Sequence, residues 1–135
     1  PVLGPRLKWP NDVMVAGRKA GGILCEARWS GESLGWIAVG VGINVRGPVD
    51  ASLMDRAIAL GDVVKGITRA AVLAALVPRI FSLEGAPADL HPATQARFLA
   101  SRWPVRDTSV AGLAPDGALL VRGSDGTIIR RADAD

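Results

Sequence analysis

The strongest constraint on this 135-residue chain is a short stretch near its start, Leu7 to Glu26. It reads Leu-Lys-Trp-Pro-Asn-Asp-Val-Met-Val-Ala-Gly-Arg-Lys-Ala-Gly-Gly-Ile-Leu-Cys-Glu. Pro10 has no N–H to give to a ladder, so it ends a strand over residues 5–9. Asn11-Asp12 is turn chemistry. Val13 and Val15 alternate with Met14 and Ala16 as a second strand. Gly17 with Arg18 makes the tight turn into a returning strand over residues 19–29. Folding alone does not ask for two lysines and a Gly-Gly pair around such a hairpin, nor for Lys8 beside a buried Trp9-Pro10 pair.

Residues 30–33 are a turn, and Leu34 to Val45 is a third long strand whose near-continuous apolar run predicts burial on both faces. Short connections make these strands an antiparallel meander. Gly40 and Gly42 fall on one face, where something can approach the backbone. Residues 46–50 form a loop, with Asp50 as the N-cap of a short helix over 51–60. A clearer helix covers 69–84, capped by Thr68, with Leu73, Leu76, Val77, Ile80 and Phe81 as its apolar stripe. Pro78 lies inside it and is predicted to kink or divide it. A loop over 85–92 leads to a second helix over 93–103. Beyond Pro104 the pattern is all-β, with turns at Pro115-Asp116-Gly117 and Ser124-Asp125-Gly126, and a frayed tail over 130–135.

Composition narrows the class without choosing a function. Apolar residues make up 49% of the chain, enough for a core, but aromatics are 4% and Tyr is absent, so aliphatic residues must fill it. The net charge is +3, and thirteen of the sixteen basic residues are Arg, of which Arg56, Arg69, Arg79, Arg97, Arg102 and Arg122 stand one at a time among apolar residues. That spacing lacks the clustered basic stripe of a nucleic-acid surface and suits an acidic small molecule such as a nucleotide equally well. With Cys25 alone there is no disulfide framework and no multi-Cys metal site, and Cys25 itself reads as core. Nothing reaches the roughly 18 apolar residues of a membrane span. A soluble, cytoplasmic protein is expected. Pro1 leads straight into strand-like sequence, which reads as a chain whose upstream part lies elsewhere.

Three motifs taken together carry a family resemblance. Lys8-Trp9-Pro10-Asn11-Asp12, then Lys19-Ala20-Gly21-Gly22-Ile23, then Gly40-Val41-Gly42-Ile43-Asn44 closely resemble the biotin protein ligase family (biotin–[acetyl-CoA carboxylase] ligase) over about residues 6–46. Residues 111–121 are similar to the hairpin of the small SH3-like barrel that follows the catalytic domain in these ligases. Here the preceding strand is compressed into 103–110, and Arg130-Arg131-Ala132-Asp133 replaces the usual Gly-Glu ending.

The resemblance implies an α+β fold: a partial class II aminoacyl-tRNA-synthetase-like, mainly antiparallel sheet with helices over 1–103, then a shortened SH3-like module over 104–135. It implies an enzyme using biotin and MgATP to form biotinyl-5′-AMP, which then biotinylates a lysine of the biotin carboxyl carrier protein, an acetyl-CoA carboxylase subunit. Lys19 is implied as the catalytic cation, touching both biotin's carboxylate and the α-phosphate. Lys8, Asn11, Asp12, Gly42 and Asn44 are implied at the nucleotide, Gly21, Gly22 and Ile23 with Lys19 at biotin, and Asp12 as a candidate Mg²⁺ ligand. The family's upstream Gly-Arg-Gly-Arg-type loop is absent from this sequence, so the chain alone is expected to show little ligase activity. The alternatives are a lipoate-ligase relative and a non-catalytic remnant that binds only the carrier protein. A homodimer stays open, and neither a membrane nor a nucleic-acid partner is indicated.

Overall fold

A computed structural model of the chain describes residues 4–82, 89–104 and 109–132. Parts of the expected 85–92 loop, of the strand preceding Ser109 and of the C-terminal tail lie outside the described residues. The fold is α+β, as expected. Four antiparallel strands, β1 (Arg6–Lys8), β2 (Asp12–Val15), β3 (Arg18–Ser30) and β4 (Ser33–Ile43), form one sheet in sequential order. Helices α1 (Arg69–Phe81) and α2 (Pro92–Ser101) follow. A second antiparallel sheet holds β5 (Ser109–Leu113), β6 (Leu119–Arg122) and β7 (Ile128–Arg131) in sequential order. No helix among the described residues is long and apolar enough to cross a membrane.

The β2–β3 turn differs from expectation by one position. Val15 pairs with Arg18, so the turn residues are Ala16 and Gly17, with φ of 48° and 83°. Two positive φ values at the centre of a two-residue hairpin are the type I′ pattern, whose twist matches that of the flanking strands. Arg18 is already in the ladder. Further along, Val13 pairs with Gly21 but Met14 with Lys19, which leaves Ala20 unmatched on β3. This bulge bends the strand between Lys19 and Gly21, so the irregularity lies beside the glycine pair rather than in it.

The burial expected for β4 is overturned. Trp36, Ile37 and Val39 are about half exposed, and Cys25, opposite Val39 on β3, is exposed as well. β4 is the last strand of its sheet, and no described element covers the stretch 31–40. A continuous apolar run reports affinity for a cover and cannot supply one. Trp9 is only half-buried and Pro10 is exposed, so the expected buried pair is half right.

Two small cores hold the chain together. Val15, Ala20 and the fully buried Ile58 form one, with Leu60 packed against it. Leu113, Leu119 and Val121 form the other, against which Trp9, Leu90 and Phe98 pack. The second sheet therefore rests on Trp9 of the β1–β2 turn, on Leu90 just before α2 and on Phe98 within it. The expected helix over 51–60 shrinks to a 3-10 turn, Ala51–Leu53, capped by Asp50. Residues 54–56 continue as a turn, and Ala57 then bridges to Lys19 of β3. Thr68 caps α1 as expected, accepting from the Ala71 N–H at 3.1 Å. The helix is not divided at Pro78. The proline stands in the last turn, where only three helical residues follow the lost N–H. β7 extends through Arg131, so part of the expected frayed tail is paired strand.

Candidate functional site

Lys19 is fixed by its backbone on two sides. In the sheet it pairs with Met14 of β2. Beyond the sheet, its N–H donates to the Arg56 carbonyl at 2.7 Å and its carbonyl accepts from the Ile58 N–H at 3.0 Å. Segment 56–58 thus adds a short parallel bridge beside Lys19, held in place by burial of the Ile58 side chain.

The Lys19 side chain then runs over Gly22. A methyl group at Gly22 would lie 3.5 Å from Lys19 Cε, 3.5 Å from Asp12 Oδ1 and 3.3 Å from the Asn11 carbonyl. Asp12 stands opposite Gly22 in the β2–β3 ladder and forms an ion pair with the Lys19 ammonium. The Lys8 ammonium lies 4.0 Å from the same carboxylate. Both lysine side chains are about half exposed while Asp12 is largely covered. Two cations therefore share one anion, and the cluster keeps one positive charge in excess.

Gly21 and Gly42 are glycines for different reasons. A side chain on buried Gly21 would collide with the Gly42 carbonyl on β4, so close strand approach accounts for it. At Gly42 a Cβ would meet nothing within 4 Å. That side of β4 is open space, where a ligand can lie against bare backbone. Asn44, just past β4, is tied by its own N–H to the Ala20 carbonyl at 2.8 Å and accepts from the Leu60 N–H at 2.7 Å. Its side-chain Nδ2 reaches the Ile58 carbonyl at 3.4 Å.

An open groove of about 790 Å³ brings Asn11, Lys19, Gly21, Gly22, Ile23, Gly42 and Asn44 together. Seven of the nine expected site residues line it. Lys8 and Asp12 instead line an adjoining depression of about 450 Å³, joined to the groove through Asn11 and Ile23 and through the Asp12–Lys19 pair. Leu53 and Ala57 also line the groove. Sequence reading missed them, because the pairing that brings Ala57 beside Lys19 spans more than thirty residues and leaves no local pattern. As a cation holder the site fits poorly. Asp12 is the one carboxylate lining either depression, and its oxygens already face two ammonium groups.

A cationic groove with bare strand backbone on one side and a side-chain amide at its end has the chemistry to hold an anionic small molecule. Residues 5–44 match the Biotin/lipoate A/B protein ligase family. The chain is 45% identical over 49 residues to the biotin–[acetyl-CoA-carboxylase] ligase of Paracoccus denitrificans, a stretch covering 36% of this chain and 20% of that protein. It is 44% identical over 45 residues to the chloroplastic biotin–protein ligase 1 of Arabidopsis thaliana, covering 33% and 12%. The likeness in fold runs further. The apo biotin protein ligase of Aquifex aeolicus superposes with a TM-score of 0.77 at 25% identity, over 97% of this chain and 64% of that one. The Aquifex enzyme in complex with biotin and ATP gives 0.75 at 25% identity, over 96% and 59%. The chain is thus similar to biotin protein ligases, in sequence over residues 5–44 and in fold over nearly its whole length, and it spans less than two thirds of the length of those it matches.

Proposed function

We propose that this chain carries the nucleotide-facing half of a biotin protein ligase site, and that the whole protein joins biotin to a lysine of a biotin carboxyl carrier protein. In the first step biotin's carboxylate attacks the α-phosphate of ATP, a P–O bond forms, and pyrophosphate leaves with the electron pair of the broken bond. In the second step the carrier's lysine amine attacks the carbonyl of biotinyl-5′-AMP and expels AMP. Neither step needs a protein nucleophile, so catalysis rests on positioning and on stabilising developing negative charge.

The observation that carries this reading is Lys19 stretched over Gly22 into a groove whose far side, at Gly42, is bare backbone. Lys19 is the catalytic cation: a point-charge ammonium suited to the biotin carboxylate and the α-phosphate oxygens. To serve there it exchanges Asp12 for the ligand. Gly21, Gly22 and Ile23 present strand backbone to biotin. Gly42 admits the nucleotide, and Asn44 offers an amide with donor and acceptor to the adenine edge. Lys8, Asn11 and Asp12 complete the nucleotide end. Mg²⁺ enters with the triphosphate as part of the substrate, and Asp12 acts as counter-ion to the lysines. Residues 1–103 form the catalytic portion and 104–135 an SH3-like module.

The test is biotin-dependent pyrophosphate release from MgATP by this chain joined to an upstream ligase segment bearing a Gly-Arg-Gly-Arg-type loop. Release with biotin supports the reading. Release with lipoate in its place favours the lipoate branch, and none with either refutes both.

A further inference from the structure

Trp9, in the turn between β1 and β2, connects the lysine cluster of the first sheet to the C-terminal sheet. Its neighbour Lys8 and the nearby Asn11 and Asp12 line the two depressions, and Trp9 itself lines neither. The indole N–H donates to the Gly117 carbonyl at 3.0 Å. Its ring packs on the Leu113–Leu119–Val121 cluster. Gly117 is the positive-φ residue of the β5–β6 turn, at φ +88°. That turn is held from its other side, where the Pro115 carbonyl accepts from the Leu90 N–H at 2.6 Å. β1 is held as well, since the Leu7 carbonyl accepts from the Trp103 N–H at 2.7 Å. The segment 8–12 thus has the groove on one side and the C-terminal hairpin on the other.

We propose that Trp9 is a positioning residue through which the β5–β6 hairpin sets the placement of Lys8, Asn11 and Asp12. A solvated loop would satisfy this indole with water. Here it is anchored to a carbonyl 108 residues away, and the anchoring residue is flanked by the chemistry-bearing ones. The C-terminal sheet then has a role in the ligand site without lining it. Asn11 passes the constraint on, because its carbonyl accepts from the Ile23 N–H at 2.9 Å, on the strand that carries Lys19. The ligand is the one assigned under the proposed function and rests on that reading. The coupling is a property of the free protein.

Backbone amide NMR of the full chain without ligand separates the two. Trp9→Phe keeps an aromatic ring and removes the donor, and it should shift the Asn11, Asp12 and Ile23 amides with little change in Tm. Shifts confined to residues 110–121 overturn the proposal. Gly117→Ala strains the turn from the far side with Trp9 intact, and it should move the same three amides. Should either variant fail to fold, hydrogen exchange of the unsubstituted chain decides: the Trp9 indole N–H and the Ile23 amide should be protected together. Free exchange of the indole beside a protected Ile23 overturns it. An ATP titration then addresses the ligand. Trp9→Phe should weaken ATP about threefold to tenfold, the range of one neutral hydrogen bond. If ATP binds neither protein, the nucleotide reading fails while the amide shifts still judge the coupling.

Discussion

The ammonium of Lys19 is paired with the carboxylate of Asp12, the residue directly across the ladder from Gly22. The pair is half open to water on the lysine side, so its net worth to stability is under about 1 kcal/mol. Asp12→Asn should therefore leave Tm nearly unchanged. Lys19→Ala, placed in a complete ligase chain, should reduce adenylate formation by orders of magnitude. A loss below about tenfold, or about 1.4 kcal/mol of barrier, would contradict the role given to Lys19. Pyrophosphate release set against thermal unfolding separates the two effects.

Gly21 and Gly42 should respond in opposite ways to the same methyl group. At Gly21 the added Cβ runs into the Gly42 carbonyl, and backbone cannot rotate aside. Gly21→Ala should cost roughly 1–3 kcal/mol by overpacking and lower Tm. Gly42→Ala meets nothing, so its stability should hold while ATP affinity falls. Equal losses of Tm in both would show that the β4 backbone is not open to a ligand.

Ile58 supports Lys19 from behind, and it is fully buried against Val15 and Ala20. Truncation to Ala should destabilise the chain by roughly 2–5 kcal/mol. Because the Ile58 N–H donates to the Lys19 carbonyl, the Lys19 amide should also lose protection against hydrogen exchange. Urea denaturation and exchange, measured together, check both.

What was legible in the sequence and what was not divides along physical lines. The three motifs fall close together as their resemblance suggests, with Lys19, Gly22 and Asn44 along one groove and Asp12 opposite Gly22, but that register is set by the bulge at Ala20, which the spacing alone does not show. The turn lies one residue before the Gly17-Arg18 pair that composition favours, because Ala16 adopts a positive φ that its side chain does not advertise. Trp36, Ile37 and Cys25 read as core and are exposed, because hydrophobicity states a preference and says nothing of whether a covering element is present. Residues 56–58 beside Lys19, and Trp9 against Gly117, were invisible. Each depends on a long-range pairing with no sequence period of its own.

Cys25 offers a direct check on that correction. It is exposed on β3 and lines the depression that holds Lys8 and Asp12. A maleimide should label it in the folded chain without denaturant, at a rate close to that of the unfolded chain. Protection by more than about tenfold would mean that the β3–β4 surface is covered in solution.

The carboxyl of Asp50 is held below the ordinary value of 3.8, chiefly by the Ser52 hydroxyl and then by the Ser52 N–H, bonds of 2.6 Å and 2.8 Å. A carboxylate whose pKa is depressed in the folded state stabilises that state above its unfolded pKa, and the support is lost as pH falls through the folded value. The turn Ala51–Leu53 should therefore loosen only below pH 3.8. Leu53 lines the groove and its carbonyl accepts from the Ala57 N–H at 2.7 Å, so the loosening should reach the segment beside Lys19. Ser52→Ala removes the larger of the two causes and should move the Asp50 midpoint back toward 3.8. Carboxyl-detected NMR titration of the two proteins measures it, and coincident midpoints would show that the Ser52 hydroxyl does not hold the turn.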